Sequence, residues 1–353
     1  MALFEIKDVD RDFYANRLKD FLPDRIIDAH THIWKSQHVP VETAAERLVT
    51  WPWRVASVNP AEHLAESYRL MFPGKQVSAV VFGSPAIQDD LDAQNAYVDA
   101  EADARGWASL LLATPEWSPD ELETRLLAGN FVGIKVYLSF APPHIASDDI
   151  GIFDFLPHAQ LAVLDRLGLA VMLHIPRSGR LRDRGNLEQM LEIEQRYPNV
   201  KVIIAHVGRA YCDEDVGDAF DVLAPTKNML FDFSANTNAT VFQQLIEAVG
   251  PTRILFGSDM PIVRMRMHRI QENGRYINVV PDGLYGDVSA DPNMRTVSGS
   301  EAERLSFFLY EEIDAFRCAA GKAGLNREEI SNIFYGNAAS MLDGIRASKA
   351  VAR

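Results

Sequence analysis

Ile26 to Trp34 reads IIDAHTHIW: an apolar run that ends in two histidines one residue apart. The run itself suits a strand buried on both faces, as in a parallel sheet. On a strand alternate side chains point to one face, so His30 and His32 stand side by side where the strand ends. Two neutral imidazoles aimed at one point pack poorly in a core and make a good start on a metal site. A surface strand can also end in two histidines by accident, so the rest of the chain has to decide.

Similar runs recur along the chain: RIIDAH (25–30), VSAVVFG (77–83), WASLLLA (107–113), VGIKVYL (132–138), LAVMLHI (169–175), VKVIIAH (200–206), NMLFDFS (228–234) and RILFGSD (253–259). Between them lie segments of helical period. SPDELETRLLAG offers Ser118 as N-cap, Pro119 at the first helical position, Glu121 to close a capping box and Gly129 as a stop. FDFLPHAQLAVLDRLG, LEQMLEIEQRYP and ATVFQQLIEAVG each run several turns and end at Gly or Pro. Strand and helix alternating about eight times predict an α/β fold, a (β/α)8 TIM barrel. An open doubly wound sheet is the rival, but no strand is followed by Gly-x-Gly-x-x-Gly or a Walker-type loop.

The whole chain, 1–353, is expected to be one barrel domain with its core at about 25–345. Two connections, about 33–76 and 261–300, are too long for plain loops. The first carries TWPWRV, with Trp51 and Trp53 flanking Pro52; the second is rich in Gly, Pro, Asn and Asp. Both follow strands and so lie over the face where barrel active sites form, as lids or binding walls or as a subunit contact in a homo-oligomer.

Composition narrows the partners. Hydrophobic residues make up 47% and charged residues 24%, enough for a sizeable core. With 35 Lys and Arg against 49 Asp and Glu, the net charge of −14 argues against a nucleic-acid or anionic-membrane surface. The N-terminus lacks the apolar core of a signal peptide, and no run approaches the roughly 20 apolar residues of a membrane span. Cys212 and Cys318 make no disulfide framework. These features point to a cytoplasmic protein.

Polar residues sit where buried strands do not want them: Lys135 in the fourth run, and His174, His206 and Asp259 at or near the ends of the fifth, sixth and eighth. Added to His30 and His32, they converge at one barrel mouth. Three histidine ligands and a carboxylate suit zinc or another divalent transition metal such as manganese.

The order His-x-His on the first strand, His on the fifth, His on the sixth and Asp on the eighth resembles the amidohydrolase superfamily. IIDAHTHIW, YPNVKVIIAHVGR, RILFGSDMP and IFYGNAASML are similar, more narrowly, to its amidohydrolase-related (amidohydrolase 2) branch. That branch holds hydrolases, lactonases and decarboxylases related to aminocarboxymuconate semialdehyde decarboxylase. The resemblance implies metal binding by His30, His32, His174 and Asp259, with His206 beside the reacting water or substrate. Lys135 is ambiguous. In two-metal members a fourth-strand lysine is carboxylated and bridges the ions, whereas in the amidohydrolase-related branch a similar GIK commonly accompanies one metal, which is the reading preferred here.

Such a metal lowers the pKa of a bound water to about 7 and polarises a carbonyl. Asp259 would take the water's proton and later deliver it, and His206 would hydrogen-bond the water or the developing oxyanion. Arg177, Arg180, Arg182 and Arg184 follow the fifth strand, Arg209 the sixth, and Arg264 and Arg266 the eighth. Together they point to a small anionic substrate. Arg177, Arg209, Arg264, Lys135 and Trp34 are the expected substrate contacts. His38, His63, His144, His158 and His268 have no matching partners and read as surface or packing residues, and no His–Asn arrangement makes Cys212 a nucleophile. The expected activity is metal-dependent hydrolysis of a carboxylate-bearing lactone, ester or amide. The alternative is non-oxidative decarboxylation of an unsaturated or aromatic acid at the same site, and a non-catalytic binding protein is the third.

Overall fold

The computed structural model describes residues 3–35, 51–84 and 90–352. Each of the eight apolar runs coincides with a strand, β1 and β2 reaching slightly beyond theirs: β1 (Arg25–His32), β2 (Gln76–Phe82), β3 (Ala108–Leu112), β4 (Gly133–Val136), β5 (Ala170–Leu173), β6 (Lys201–Ile204), β7 (Leu230–Asp232) and β8 (Ile254–Leu255). They pair in sequence order and in parallel. The ring then closes between β8 and β1: Ala29 N donates to Phe256 O at 2.9 Å, Asp259 N to His30 O at 2.7 Å and His32 N to Met260 O at 3.0 Å. An open doubly wound sheet would leave those two edges apart, so the fold is the (β/α)8 barrel. Asp28 tightens the same seam. Its buried carboxylate accepts from Ser258 N at 2.8 Å, from the Ser258 hydroxyl and from Tyr68 Oη at 2.7 Å.

The helices run where their signals place them, at Pro119–Ala128, His158–Leu167, Arg184–Arg196 and Ala239–Val249 among others. Ser118 caps its helix by accepting from Glu121 N at 3.2 Å. The expected capping box is not completed, because the Glu121 carboxylate takes the Arg125 guanidinium one turn on.

The two long connections are built differently from each other. Residues 36–50 of the first, with His38 and Thr50, lie outside the described residues, as do the side chains of Pro52 and Trp53. The described part holds helices Trp51–Val55 and Ala61–Met71. The second is not a plain loop: it carries β9 (His268–Glu272), β10 (Arg275–Pro281) and β11 (Met294–Val297) as a separate small sheet. Asn273 and Gly274, at φ 50° and 71°, turn β9 into β10, the Asn-Gly hairpin signal that composition alone obscured. The connections meet where Trp51 Nε1 donates to Asp291 at 2.9 Å. No helix among the described residues is long and apolar enough to cross a membrane.

Candidate metal centre

The strand ends bring His30, His32, His174, His206 and Asp259 together. Among the described residues they form two groups of potential ligand atoms that share His30: His30 with His174 and His206, and His30 with His32 and Asp259. The four expected ligands therefore do not stand alone, and His206 is as close as they are. The backbone is shaped for this convergence. The β1–β2 register shifts between Asp28 and Thr31, a bulge that re-aims the chain at His30. His206, Val207, Arg209 and Asp259 all have left-handed φ, between 51° and 64°, which side chains other than glycine adopt only under constraint. Gly257 leaves room for the cluster, since a Cβ there would lie 2.7 Å from His30 Cβ.

The hydrogen bonds behind the rings fix what the rings present. His30 Nδ1 lies 2.9 Å from Asp232 Oδ2, His32 Nδ1 3.1 Å from Gly83 O, and His206 Nδ1 2.9 Å from Ser234 O. Each partner is an acceptor, so each Nδ1 carries a proton and each ring turns its Nε2 inward. His30 Nε2 has no hydrogen-bond partner among the described residues. His32 Nε2 lies 3.1 Å from Asp259 Oδ1, and His206 Nε2 2.8 Å from His174 Nε2. Ring nitrogens and a carboxylate facing one buried space are a donor set that fits a divalent metal.

Electrostatics agree. Burial lowers the His30 pKa to about 4, with Asp232 opposing and Lys135 assisting. Burial also lowers His206 and takes His174 well below its usual value. These imidazoles are neutral, as ligands must be. Burial pushes the Asp259 carboxyl up, but the hydrogen bond from His32 and the charge the neighbouring imidazoles carry when protonated pull it down further, leaving the group below its ordinary value.

Sequence reasoning passed over the residue that organises the cluster. Asp232, in the seventh run, accepts from His30 Nδ1, from His206 N at 2.9 Å, from Ser234 N at 3.2 Å and from the Ser234 hydroxyl. The signal was present: LFDF puts a carboxylate in a buried strand just as LHI puts a histidine there.

The expected substrate contacts divide. Lys135 is fully buried in the barrel, and its Nζ has no hydrogen-bond partner and sits over Phe82 and Tyr137, 5.1 and 4.8 Å from the ring centroids. Arg209 donates to Ile175 O at 3.2 Å and Pro176 O at 3.0 Å, directly beyond His174. Arg177 is half-buried 3.9 Å from Asp183, and its Nε has no partner. Arg264 is a correction. It is buried against Asn59 (3.1 Å) and Ser67 (3.3 Å) and borders a cavity of about 450 Å³ that shares no lining residue with the histidine cluster. Trp34 is buried, with its indole N–H given to Ser57 O at 3.2 Å. Arg180, Arg182, Arg184 and Arg266 are occupied by Asp215, Glu214 O, Asp218 and Asp10. Burial pushes the Cys212 thiol up to about 11, which leaves no thiolate near neutrality.

Residues 27–277 match the family model described as amidohydrolase. No curated protein sequence matches the chain. Three solved structures illustrate the likeness in fold. A probable 2-pyrone-4,6-dicarboxylic acid hydrolase from Acinetobacter baumannii, with citric acid bound, is 14% identical over 90% of this chain and 99% of that one, at a TM-score of 0.53. A 4-oxalomesaconate hydratase from Rhodopseudomonas palustris is 18% identical over 92% and 97%, at 0.54. A dihydroxybenzoic acid decarboxylase from a Polaromonas species, with manganese and 2-nitroresorcinol bound, is 13% identical over 93% and 99%, at 0.54.

Proposed function

The chain belongs to the amidohydrolase family, and from that premise we propose that it is a metal-dependent hydrolase of a small carboxylate-bearing lactone, ester or amide. One observation carries the reading: His30, His32 and His206 have their outer nitrogens tied to acceptors and turn their inner nitrogens toward one space beside an ionised Asp259. His30, His32, His174 and Asp259 would hold one ion, zinc in our reading, with His206 at its edge. A bound divalent ion supplies Lewis acidity, activating water and polarising a carbonyl. The aromatic faces around the Lys135 amine suit a cation and not the negative charge of a carbamate, which supports one ion over two.

The chain's own groups supply the proton path. Asp259 is ionised and lies 3.5 Å from His30 Nε2, at the edge of the cluster, where it can take a proton from water and return it to a leaving oxygen or nitrogen. His206, held by Ser234 and Asp232, can reorient toward an oxyanion without losing its Nδ1 bond. Lys135, Arg177 and Arg209 give the mouth its positive side, and they would draw in and hold an anionic substrate.

The same site can serve a decarboxylase, and the structural likeness to the dihydroxybenzoic acid decarboxylase keeps that second reading in view. One experiment separates them. Protein with its metal quantified is incubated with a panel of lactones and of aromatic and unsaturated acids, and both ring-opened acid and CO₂ are measured. Hydrolysis that vanishes on chelation and returns with zinc is the expected result. CO₂ release without hydrolysis would replace the proposal with the lyase, and neither activity in a metal-replete protein would overturn both.

A further inference from the structure

Lys135 is one of a row of polar side chains in the barrel. Lys135, Tyr137 and Ser139 occupy alternate positions on β4 and the turn after it, and each ends in a buried polar atom with no hydrogen-bond partner among the described residues. Tyr137 keeps extended backbone, at φ −136° and ψ 142°, so its side chain shares the face of Lys135. The Tyr137 ring lies 5.8 Å from that of His174. In the closed ring β4 is four strands from β8 in either direction, so Lys135 and Tyr137 stand across the mouth from Asp259. The field of Asp259 nevertheless acts on both groups.

Leaving such groups unmatched is expensive. A buried hydroxyl without a partner bears its desolvation cost uncompensated, and an amine that can charge bears a larger one. Other buried polar atoms lack a partner, among them Thr31 Oγ1 and Glu312 Oε1, but they are scattered, whereas Lys135, Tyr137 and Ser139 fall on one row. Their chemistry is specific. Burial holds the Tyr137 phenol well above its usual range, so it is a neutral O–H donor. An ammonium beside it adds N–H donors and no acceptor. A planar carboxylate offers two acceptor oxygens to such a pair, whereas a carboxamide offers one and sets its own N–H groups against the ammonium. The surrounding walls are flat: Phe82 lies 4.5 Å from the His32 ring and 5.2 Å from the His30 ring, and Phe140 lies 6.3 Å from Tyr137.

We propose that the Tyr137 hydroxyl and the Lys135 amine form a two-donor receptor for a substrate carboxylate opposite the histidine cluster, making Tyr137 a specificity-determining residue for planar unsaturated or aromatic acids. The inference rests on the reading of the barrel mouth as the reacting site. It assigns to β4 the non-reacting carboxylate and leaves the group that is attacked to the cluster.

The test uses benzoate and its isostere benzamide as probes, with the full chain and its Tyr137→Phe variant. Binding is followed by ligand-observed NMR and calorimetry, in metal-loaded and metal-stripped protein, with metal content measured on each preparation. Benzoate should bind the wild type, and Tyr137→Phe should weaken it roughly ten- to a hundredfold, the range for one hydrogen bond to a charged group. Metal content and the weaker benzamide binding should not change, and the benzoate loss should persist in stripped protein. Equal benzoate affinity in the two proteins would overturn the proposal, as would equal losses for benzoate and benzamide, or no benzoate binding to the wild type. Failure of the hydrolase reading looks different: a protein that holds no metal or turns nothing over can still show the benzoate contrast, and an active metalloenzyme can lack it.

Discussion

The two sides of the barrel mouth are built on opposite principles. Behind β1 and β7, Asp232 gathers four donors, and Ser234 connects His30 with His206. Across the barrel, β4 and the residue after it present an amine and a phenol with no hydrogen-bond partner among the described residues. Both sides are fully buried and both are polar. A network in which each donor is matched fixes side chains within a narrow range and so can orient ligands. A wall of unmatched donors costs stability and is explained by what it receives. The difference teaches that the first side is scaffold and the second is recognition, and that substitutions on the two should change different observables.

The largest effect is expected where the scaffold side meets the chemistry. Asp259→Asn keeps the shape but removes the carboxylate that handles the proton. Turnover of whichever panel substrate the wild type uses should fall by about 10³–10⁴, with loss of bound metal as well. His206→Ala should lower turnover by about 10²–10³ and leave the chain folded. Metal content then sharpens the comparison: near-normal content makes His206 a partner of the reacting oxygen, while strong loss makes it a ligand, as its 2.8 Å approach to His174 also allows. Full turnover in Asp259→Asn would remove the proton-transfer role.

Next comes Asp232→Asn. The amide leaves His30 Nδ1 without its charged acceptor and sets an N–H against one of the donors that now meet there. Metal affinity, read by chelator competition, should drop roughly 10–100-fold while circular dichroism stays that of a folded barrel. An unchanged affinity would mean that the scaffold side orients nothing.

Asp232 also shows what the sequence could and could not say. The strands were legible because near-continuous apolar runs separated by helical period admit few other folds, and the cluster was legible because His174, His206 and Asp259 interrupt such runs. Asp232 interrupts one in the same way, and only the fold shows that it faces His30 and His206. Arg264 failed for a different reason. Position after β8 says which loop carries a residue but not which way its side chain turns, and Asn59 and Ser67, which hold it, come from the other insertion. The β9–β11 sheet was hidden by a composition of turn residues, although Asn273-Gly274 marks the hairpin. Unmatched donors such as Tyr137 were out of reach, since satisfaction is a property of neighbours and not of a residue.

On the recognition side, pH is the sharper probe. Burial lowers the Lys135 pKa to about 7, against 10.5 for an ordinary lysine, with Asp232 and Asp259 opposing. Between those values the unfolded chain carries a proton that the folded chain has lost, so stability should rise with pH from about 7 toward 10.5. Below the window both states are charged, and folding bears the full cost of burying the ammonium. In metal-free protein, Lys135→Met should flatten that rise and give a higher urea midpoint at pH 7. A wild-type slope that survives the substitution would place its origin in another group.

The smallest effect is the most direct comparison of the two sides. Ser234→Ala and Tyr137→Phe each delete one buried hydroxyl and little else. The Ser234 hydroxyl donates to Asp232 and faces His206 Nδ1 at 2.9 Å, so its loss leaves partners short of a bond and should destabilise by about 1–2 kcal/mol. The Tyr137 hydroxyl has no partner to strand. Its removal withdraws a desolvated polar atom from an apolar setting formed by Leu112 and Phe140, so Tyr137→Phe should leave the ligand-free protein as stable as the wild type or more stable by up to about 1 kcal/mol. Urea unfolding of both variants without ligand measures the contrast, with equal m-values required for the midpoints to be compared. A loss in Tyr137→Phe as large as that in Ser234→Ala would mean that the phenol already has a partner inside the protein. The mouth would then have one kind of wall, and the distinction between scaffold and recognition would fail at the residue that carries it.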